Sequence, residues 1–327
     1  MIGGLIFLIF ILSLVLIKSA DMVIVALRRL GRTTHTGVFA LSAIILALGT
    51  SLPELFVGIT SALEGAQNLS LGVVIGSNIA NIALIGALTA FIVGKISVHS
   101  DYIVHEVWVA FAAGLLPMLL VSDKELNRID GLILIAVYLA YATGFFKRRY
   151  EQISREQQEE ESFLYGFFRR FNHIDGSQRK EFGRLFIGIA LLLASADGIV
   201  KLSSSLASTA GIPIFVVGLV VLAIGTSLPE LAFSIKSISE HEPSMFFGNL
   251  LGSTIANSTL IVGIVSLIAP IKVIAFNEYL LAAVAFILVF SGFWFFVRSK
   301  HRLDRWEGGI LLLIYITFLI LEFSRQV

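Results

Sequence analysis

The sequence predicts an all-α membrane protein of ten transmembrane helices, arranged as two five-helix repeats of inverted topology. Three observations carry this expectation. The 327 residues are 57% hydrophobic and only 14% charged, with a mean hydropathy of +0.90, where about 25% charged residues is usual in soluble domains. Apolar runs close to the roughly 20 residues that span a bilayer recur along the whole chain. The chain also repeats itself: ALGTSLPEL at 47–55 returns as AIGTSLPEL at 223–231, and GSNIAN at 76–81 returns as GSTIAN at 252–257, both at an offset of 176.

The ten expected spans are 3–27, 37–62, 70–94, 103–122, 129–146, 184–208, 213–238, 245–268, 277–297 and 308–324. The runs are continuous rather than alternating, which selects helices over a barrel. The first run, MIGGLIFLIF onward, lacks a basic leading segment and continues past any cleavage site, so it reads as a true span. Weaker echoes extend the repeat over five helices in each half: SAD at 19–21 matches SAD at 195–197, and DGLIL at 130–134 matches EGGIL at 307–311. The expected division is therefore residues 1–146 for helices 1–5, a linker at 147–182, and 183–327 for helices 6–10. Five is odd, so the halves enter the membrane from opposite sides. That is the inverted repeat of many secondary transporters, whose site lies at the midplane between the halves.

Orientation follows from Lys and Arg. With the N-terminus outside, eighteen fall in inside segments and five in outside ones. Both termini are thus expected outside and the 147–182 loop in the cytoplasm, in a multi-pass plasma membrane protein of prokaryotic type. The loop mixes basic residues with Glu156, Glu159, Glu160 and Glu161 and reads as a solvated linker; within it, FLYGFFRRF at 163–171 has the composition of a segment lying on the membrane surface. A net charge of +1 gives no basis for a nucleic-acid partner, and the absence of cysteine excludes disulfides and thiolate metal sites.

The chemistry gathers in the repeated motifs. Glu54 and Glu230 fall near the middle of helices 2 and 7, and a carboxylate at that depth is a functional hypothesis by default. Thr50 and Ser51 precede Glu54 by four and three residues and share its helical face, as Thr226 and Ser227 do for Glu230. Pro53 and Pro229 have no N–H, so the carbonyls of Gly49 and Gly225 lose their helical partners. The helices should bend at the carboxylates and present carbonyl oxygens to a cavity. In helix 3, Ser77 and Asn81 share a face; Ser253 and Asn257 match them in helix 8. Gly72, Gly76, Gly248 and Gly252 are expected to permit close helix packing. Every donor in this set is oxygen, which suits a hard cation such as Ca²⁺ with about 6–8 oxygen ligands and does not suit Zn²⁺ or Cu⁺. No enzymatic nucleophile with a base is present in either motif, and no cofactor is expected.

With these residues in view, the chain resembles the sodium/calcium exchanger family of the cation/calcium antiporter superfamily, through GTSLPE followed by GS-x-I-x-N in both halves. The resemblance implies a Na⁺/Ca²⁺ antiporter working by alternating access. It implies that Glu54 and Glu230 ligate Ca²⁺ with the carbonyls of Thr50 and Thr226. Na⁺ would share the carboxylates and use Ser51, Ser77, Ser227, Ser253 and the carbonyls of Ala47 and Ala223. Helices 1 and 6, which carry Asp21 and Asp197, would slide across the rest. The chain departs from many family members at Asn257, where they carry an aspartate tied to K⁺ in the potassium-dependent relatives; this argues against K⁺ co-transport. The same glutamates could carry protons, so Ca²⁺/H⁺ exchange is the alternative, and a cation channel a more distant one. Ca²⁺ and Na⁺ are the expected substrates and a monomer the expected working unit.

Overall fold

The computed structural model describes residues 2–33, 51–97, 101–154, 176–239 and 243–325. Helix follows helix through them. α1 is Ile2–Thr33, α2 Leu52–Leu63, and α3 Gln67–Val93, whose middle, Asn81–Gly86, is a π-helical turn. α4 is Asp101–Leu120, α5 Arg128–Ser154 and α6 Gly176–Ala210. α7 runs over Ile214–Ser239, with a π-helical segment at Val217–Leu222 and an interruption at Ser227. α8 comprises Pro243–Ile255, a π-helical turn Ala256–Ile261, and Val262–Ile268. α9 is Phe276–Lys300 and α10 Arg305–Ser324.

Eight helices among the described residues are long and apolar enough to cross a membrane. α2 and α5 are not among them. Only the Leu52–Leu63 part of the span expected at 37–62 is described. The helices also run further than the apolar stretches. α5 continues to Ser154 and α6 begins at Gly176, so helix covers both ends of the expected 147–182 linker. Lys, Arg, Glu and Gln are good helix formers outside lipid, and hydropathy marks only the apolar part.

Two pairs of short strands, not expected from the sequence, tie the halves together. β1 (Lys95–Ser97) pairs antiparallel with β4 (Arg302–Asp304), and β2 (Glu125–Leu126) with β3 (Ile271–Lys272). β4 leads into α10 through a capping box, in which the Asp304 N–H donates to Glu307 at 2.9 Å and the Asp304 side chain accepts from the N3 backbone. That satisfies donors which a helix start leaves orphaned.

Burial sorts the helices into layers. The most apolar window of α3 is 89% buried inside the protein and that of α1 only 22%, so α3 is central and α1 peripheral. α1 turns Phe7 and Leu14 outward, as α9 does Leu288 and α10 Ile320, the pattern of helices whose outer face meets lipid. The inner apolar side chains form two clusters. One is built largely on α3, α4, α8, α9 and α10, around Ile79, Phe247, Phe286 and Phe290. The other joins α1 to α6 through Ile9, Leu16, Leu192 and Ile199 and reaches Val57, Val73 and Leu222. α1 and α6 are also joined where Glu181 accepts from Arg29 at 2.9 Å and Arg184 at 2.7 Å.

α3 and α7 cross at backbone contact. A Cβ on Gly72 would lie 2.1 Å from the Phe215 carbonyl oxygen, one on Gly76 2.1 Å from that of Leu219, and one on Gly218 2.3 Å from that of Leu69. Only glycine allows this approach. Gly248 and Gly252 have nothing within 4 Å among the described residues; their partner by repeat would lie at 39–47, outside those residues.

Candidate ion site

Each glutamate stands three residues past a serine with a non-helical backbone, Ser51 or Ser227. Ser51 has φ −89° and ψ 4°, and Ser227 has φ −84° and ψ 2°. These are bridge-region conformations, outside the helical well; helix begins at Leu52 after the first and resumes at Leu228 after the second. Pro53 and Pro229 occupy the first turn of the helix that follows, where a missing N–H costs nothing. Glu54 and Glu230 follow in that same turn, at the positive end of the half-helix, which favours a carboxylate. The Ser51 carbonyl accepts from Leu55 N–H at 3.0 Å and the Ser227 carbonyl from Leu231 N–H at 3.2 Å. The Ala223 carbonyl accepts from Ser227 N–H at 3.2 Å, which leaves it one lone pair.

The two carboxyl groups are sealed from solvent. Glu54 is 1% exposed and Glu230 0%. None of their four oxygens has a hydrogen-bond partner among the described residues, nor has Ser51 Oγ, Ser227 Oγ, Asn81 Oδ1 or Asn257 Oδ1. Buried polar atoms are normally paired. Here eight buried oxygens with lone pairs and no donor come from the motifs of both halves. That number lies within the oxygen count of a Ca²⁺ shell.

Hydrogen bonds between α3 and the second half hold the amides in place. Asn81 donates Nδ2 to Ser253 Oγ at 3.1 Å, and Asn257 donates Nδ2 to Asn78 Oδ1 at 3.4 Å. Each amide thus uses a donor on a neighbour and leaves its carbonyl oxygen free. Ser77 and Thr226 share a hydrogen bond of 3.3 Å, and Asn78 donates to Ser258 Oγ at 2.7 Å. The π-helical turns begin at Asn81 in α3 and Ala256 in α8; such turns interrupt an α-helix mostly at functional positions.

Among the described residues, hydrogen bonds join Ser77 to Thr226 and Asn81 to Ser253 and tie Asn257 to α3, while Ser51, Glu54, Ser227 and Glu230 are buried with side-chain oxygens unpartnered. Ala47 and Thr50 lie outside the described residues. Asp21 is exposed, and Asp197 pairs with Lys201 on its own helix at 2.9 Å, so neither belongs to this group. Sequence reasoning missed Asn78 and Ser258: one stands inside the GSNIAN motif as a non-repeated residue, the other just past GSTIAN. The mismatch of Asn78 with Thr254 was the available signal. Among the described residues no cluster of three or more His, Cys, Asp or Glu could hold a metal.

Known proteins resemble this chain. The family model for the sodium/calcium exchanger protein matches residues 5–147 and 180–323. The sodium/calcium exchanger MaX1 of Methanosarcina acetivorans is 26% identical over 352 residues, covering 97% of this chain and 98% of that protein. The inner membrane protein YrbG of Escherichia coli K12 is 30% identical over 259 residues, 79% of this chain and 78% of its own length. Among solved structures, the sodium-calcium exchanger NCX_Mj soaked with Na⁺ and Sr²⁺ aligns with a TM-score of 0.60 at 23% identity, covering 98% of this chain and 99% of that one. That likeness shows a shared fold.

Proposed function

The chain belongs to the sodium/calcium exchanger protein family, and from that premise we propose that it exchanges Na⁺ for Ca²⁺ by alternating access at the Glu54–Glu230 site. The cation/calcium antiporter character follows from the family; the counter-ion and the ligands are our reading. The observation that carries it is the pair of buried carboxylates with four unpartnered oxygens, at equivalent places in two repeated motifs. Burying unpaired charge is expensive, and a sealed pair of like charges is tolerable only if something neutralises it. One Ca²⁺ does so, as do two Na⁺ or two protons.

In this reading Glu54 and Glu230 ligate Ca²⁺ together with the carbonyls of Thr50 and Thr226. Ser51, Ser227, Ser77, Ser253, Asn81, Asn257 and the carbonyls of Ala47 and Ala223 complete the oxygen set that Na⁺ shares. Exchange then needs only competition for common ligands and a barrier to moving the empty, doubly negative site. A third Na⁺ would leave one positive charge on the loaded site and make transport respond to voltage by about 2.3 kcal/mol per charge per 100 mV.

We read the architecture as ten spans in two inverted repeats, 1–146 and 183–327, around a cytoplasmic 147–182 connection, with both termini outside in a plasma membrane of prokaryotic type and a monomer as the working unit. The strand pairs support the repeat: β1 and β3 begin 176 residues apart, and each pairs with a strand of the other half. In this reading α1 and α6, joined through Ile9, Leu16, Leu192 and Ile199, slide as a pair across α2, α3 and α7, whose Val57, Val73 and Leu222 lie in the same apolar cluster.

The test is Ca²⁺ uptake by Na⁺-loaded proteoliposomes diluted into Na⁺-free medium, with K⁺-loaded vesicles as control. Uptake that requires internal Na⁺ is expected. Uptake indifferent to Na⁺ but driven by an imposed pH gradient would transfer the protein to Ca²⁺/H⁺ exchange. The neutral amide at Asn257 removes one reason to need Na⁺, and so makes Ca²⁺/H⁺ exchange the second reading, ahead of a channel. Flux without any counter-ion would indicate a channel.

A further inference from the structure

The two motif asparagines reach their neighbours by different routes. Asn81 donates directly across the halves to Ser253. By the repeat, Asn257 would donate to Ser77. Instead Ser77 faces Thr226, and Asn257 donates to Asn78 Oδ1 at 3.4 Å, while Asn78 donates Nδ2 to Ser258 Oγ at 2.7 Å. The counterparts 176 residues away cannot reproduce this chain. Thr254 stands for Asn78 and bonds back to its own helix, to the Leu250 carbonyl at 2.9 Å; Ile82 stands for Ser258 and has no polar side-chain atom. Asn78, Asn257 and Ser258 are 1%, 0% and 1% exposed, so water does not compete for these bonds.

A primary amide has an oxygen end and an NH₂ end of nearly the same shape and opposite hydrogen-bonding character. The end that Asn257 turns away from Asn78 decides whether it offers a lone pair to a cation or a donor that repels one. Asn78 Oδ1 accepts only, so it draws the Asn257 NH₂ to itself. Ser258 Oγ accepts from Asn78 Nδ2 at 2.7 Å, which engages the NH₂ end of Asn78 and leaves its Oδ1 for Asn257. Asn257 Oδ1 is the atom left without a partner.

We propose that Asn78 and Ser258 are positioning residues that hold the Asn257 amide with its oxygen toward the ion site, and so set cation affinity without touching the ion. This rests on Asn257 being an ion ligand, as proposed above.

The experiment is calorimetric Ca²⁺ titration of the purified full-length protein in detergent, which does not depend on the identity of the counter-ion. Asn257→Ala and Asn78→Leu are each expected to weaken Ca²⁺ binding by on the order of tenfold, the worth of about one net hydrogen bond. Ser258→Ala should weaken it severalfold, and Ser258→Thr, which keeps the hydroxyl, should restore it. In an Asn257→Ala background, Asn78→Leu should add nothing, because residues acting through one another are not additive. An undiminished effect of Asn78→Leu in that background would overturn the proposal, since Asn78 would then act on the fold alone. Unchanged affinity in Asn78→Leu and Ser258→Ala beside a weakened Asn257→Ala would overturn it too, leaving the ligand reading intact. Normal affinity in Asn257→Ala would sink the ligand reading itself, and the positioning role with it. Should Asn78→Leu fail to fold, Ser258→Ala paired with Asn257→Ala completes the same cycle.

Discussion

At Ser51 and Ser227 the two halves of the molecule share a backbone conformation to within a few degrees, and each carries a buried, unpartnered glutamate three residues on. Some 25 residues further along, they part. Asn81 is held by one direct bond to Ser253, while Asn257 is held through Asn78 and Ser258. The difference separates two demands. The charged groups follow the repeat, with one buried carboxylate from each half. An ion does not need equivalent neutral ligands, only enough oxygens.

The largest effect should test the likeness at the carboxylates. Glu54→Gln and Glu230→Gln should each cut Ca²⁺ transport by roughly 100-fold or more, the scale of losing one partner from a buried set of charges, while the protein still elutes as a folded species. Vesicle uptake of Ca²⁺ is the readout, and a half that tolerated its substitution would break the equivalence. Next comes the crossing of α3 and α7. Gly76→Val would drive side-chain atoms into the Leu219 carbonyl and should destabilise by at least about 1–3 kcal/mol, visible as a lowered Tm in detergent. An unchanged Tm would mean that the helices can part there at little cost.

A smaller effect is expected from Asn257→Asp, which makes the second half more unlike the first. Ca²⁺ transport should persist, with a severalfold change in its Na⁺ or pH dependence, measured as uptake across a grid of internal Na⁺ and pH. An unaltered profile would remove this position from those that set selectivity. The smallest effects belong to Ser51→Ala and Ser227→Ala. Each removes one hydroxyl oxygen and should weaken Na⁺ competition with Ca²⁺ only a few-fold, and by similar factors. A large disparity between them would show that the likeness of the backbone does not extend to ion contact.

Composition and the doubled motif made the helical membrane fold and the family legible, because apolar runs and GTSLPE are local features of the chain. Hydropathy could not show where α5 and α6 end, since Lys, Arg and Glu continue a helix beyond lipid. Nor did it mark the π-helical turns at Asn81 and Ala256, which change the hydrogen-bond register without changing polarity. The β1–β4 and β2–β3 pairs join residues far apart in the chain in runs too short to alternate visibly. Asn78 and Ser258 escaped for another reason. Reading a repeat rewards positions that match, and these two matter because they do not.

The central claim is that both glutamates hold one cation site. It is tested most directly by equilibrium Ca²⁺ binding to the purified protein over a series of Na⁺ concentrations. We predict one Ca²⁺ per chain, displaced by Na⁺ and lost on either Glu54→Gln or Glu230→Gln. Stoichiometric Ca²⁺ binding that survives both substitutions would contradict the account.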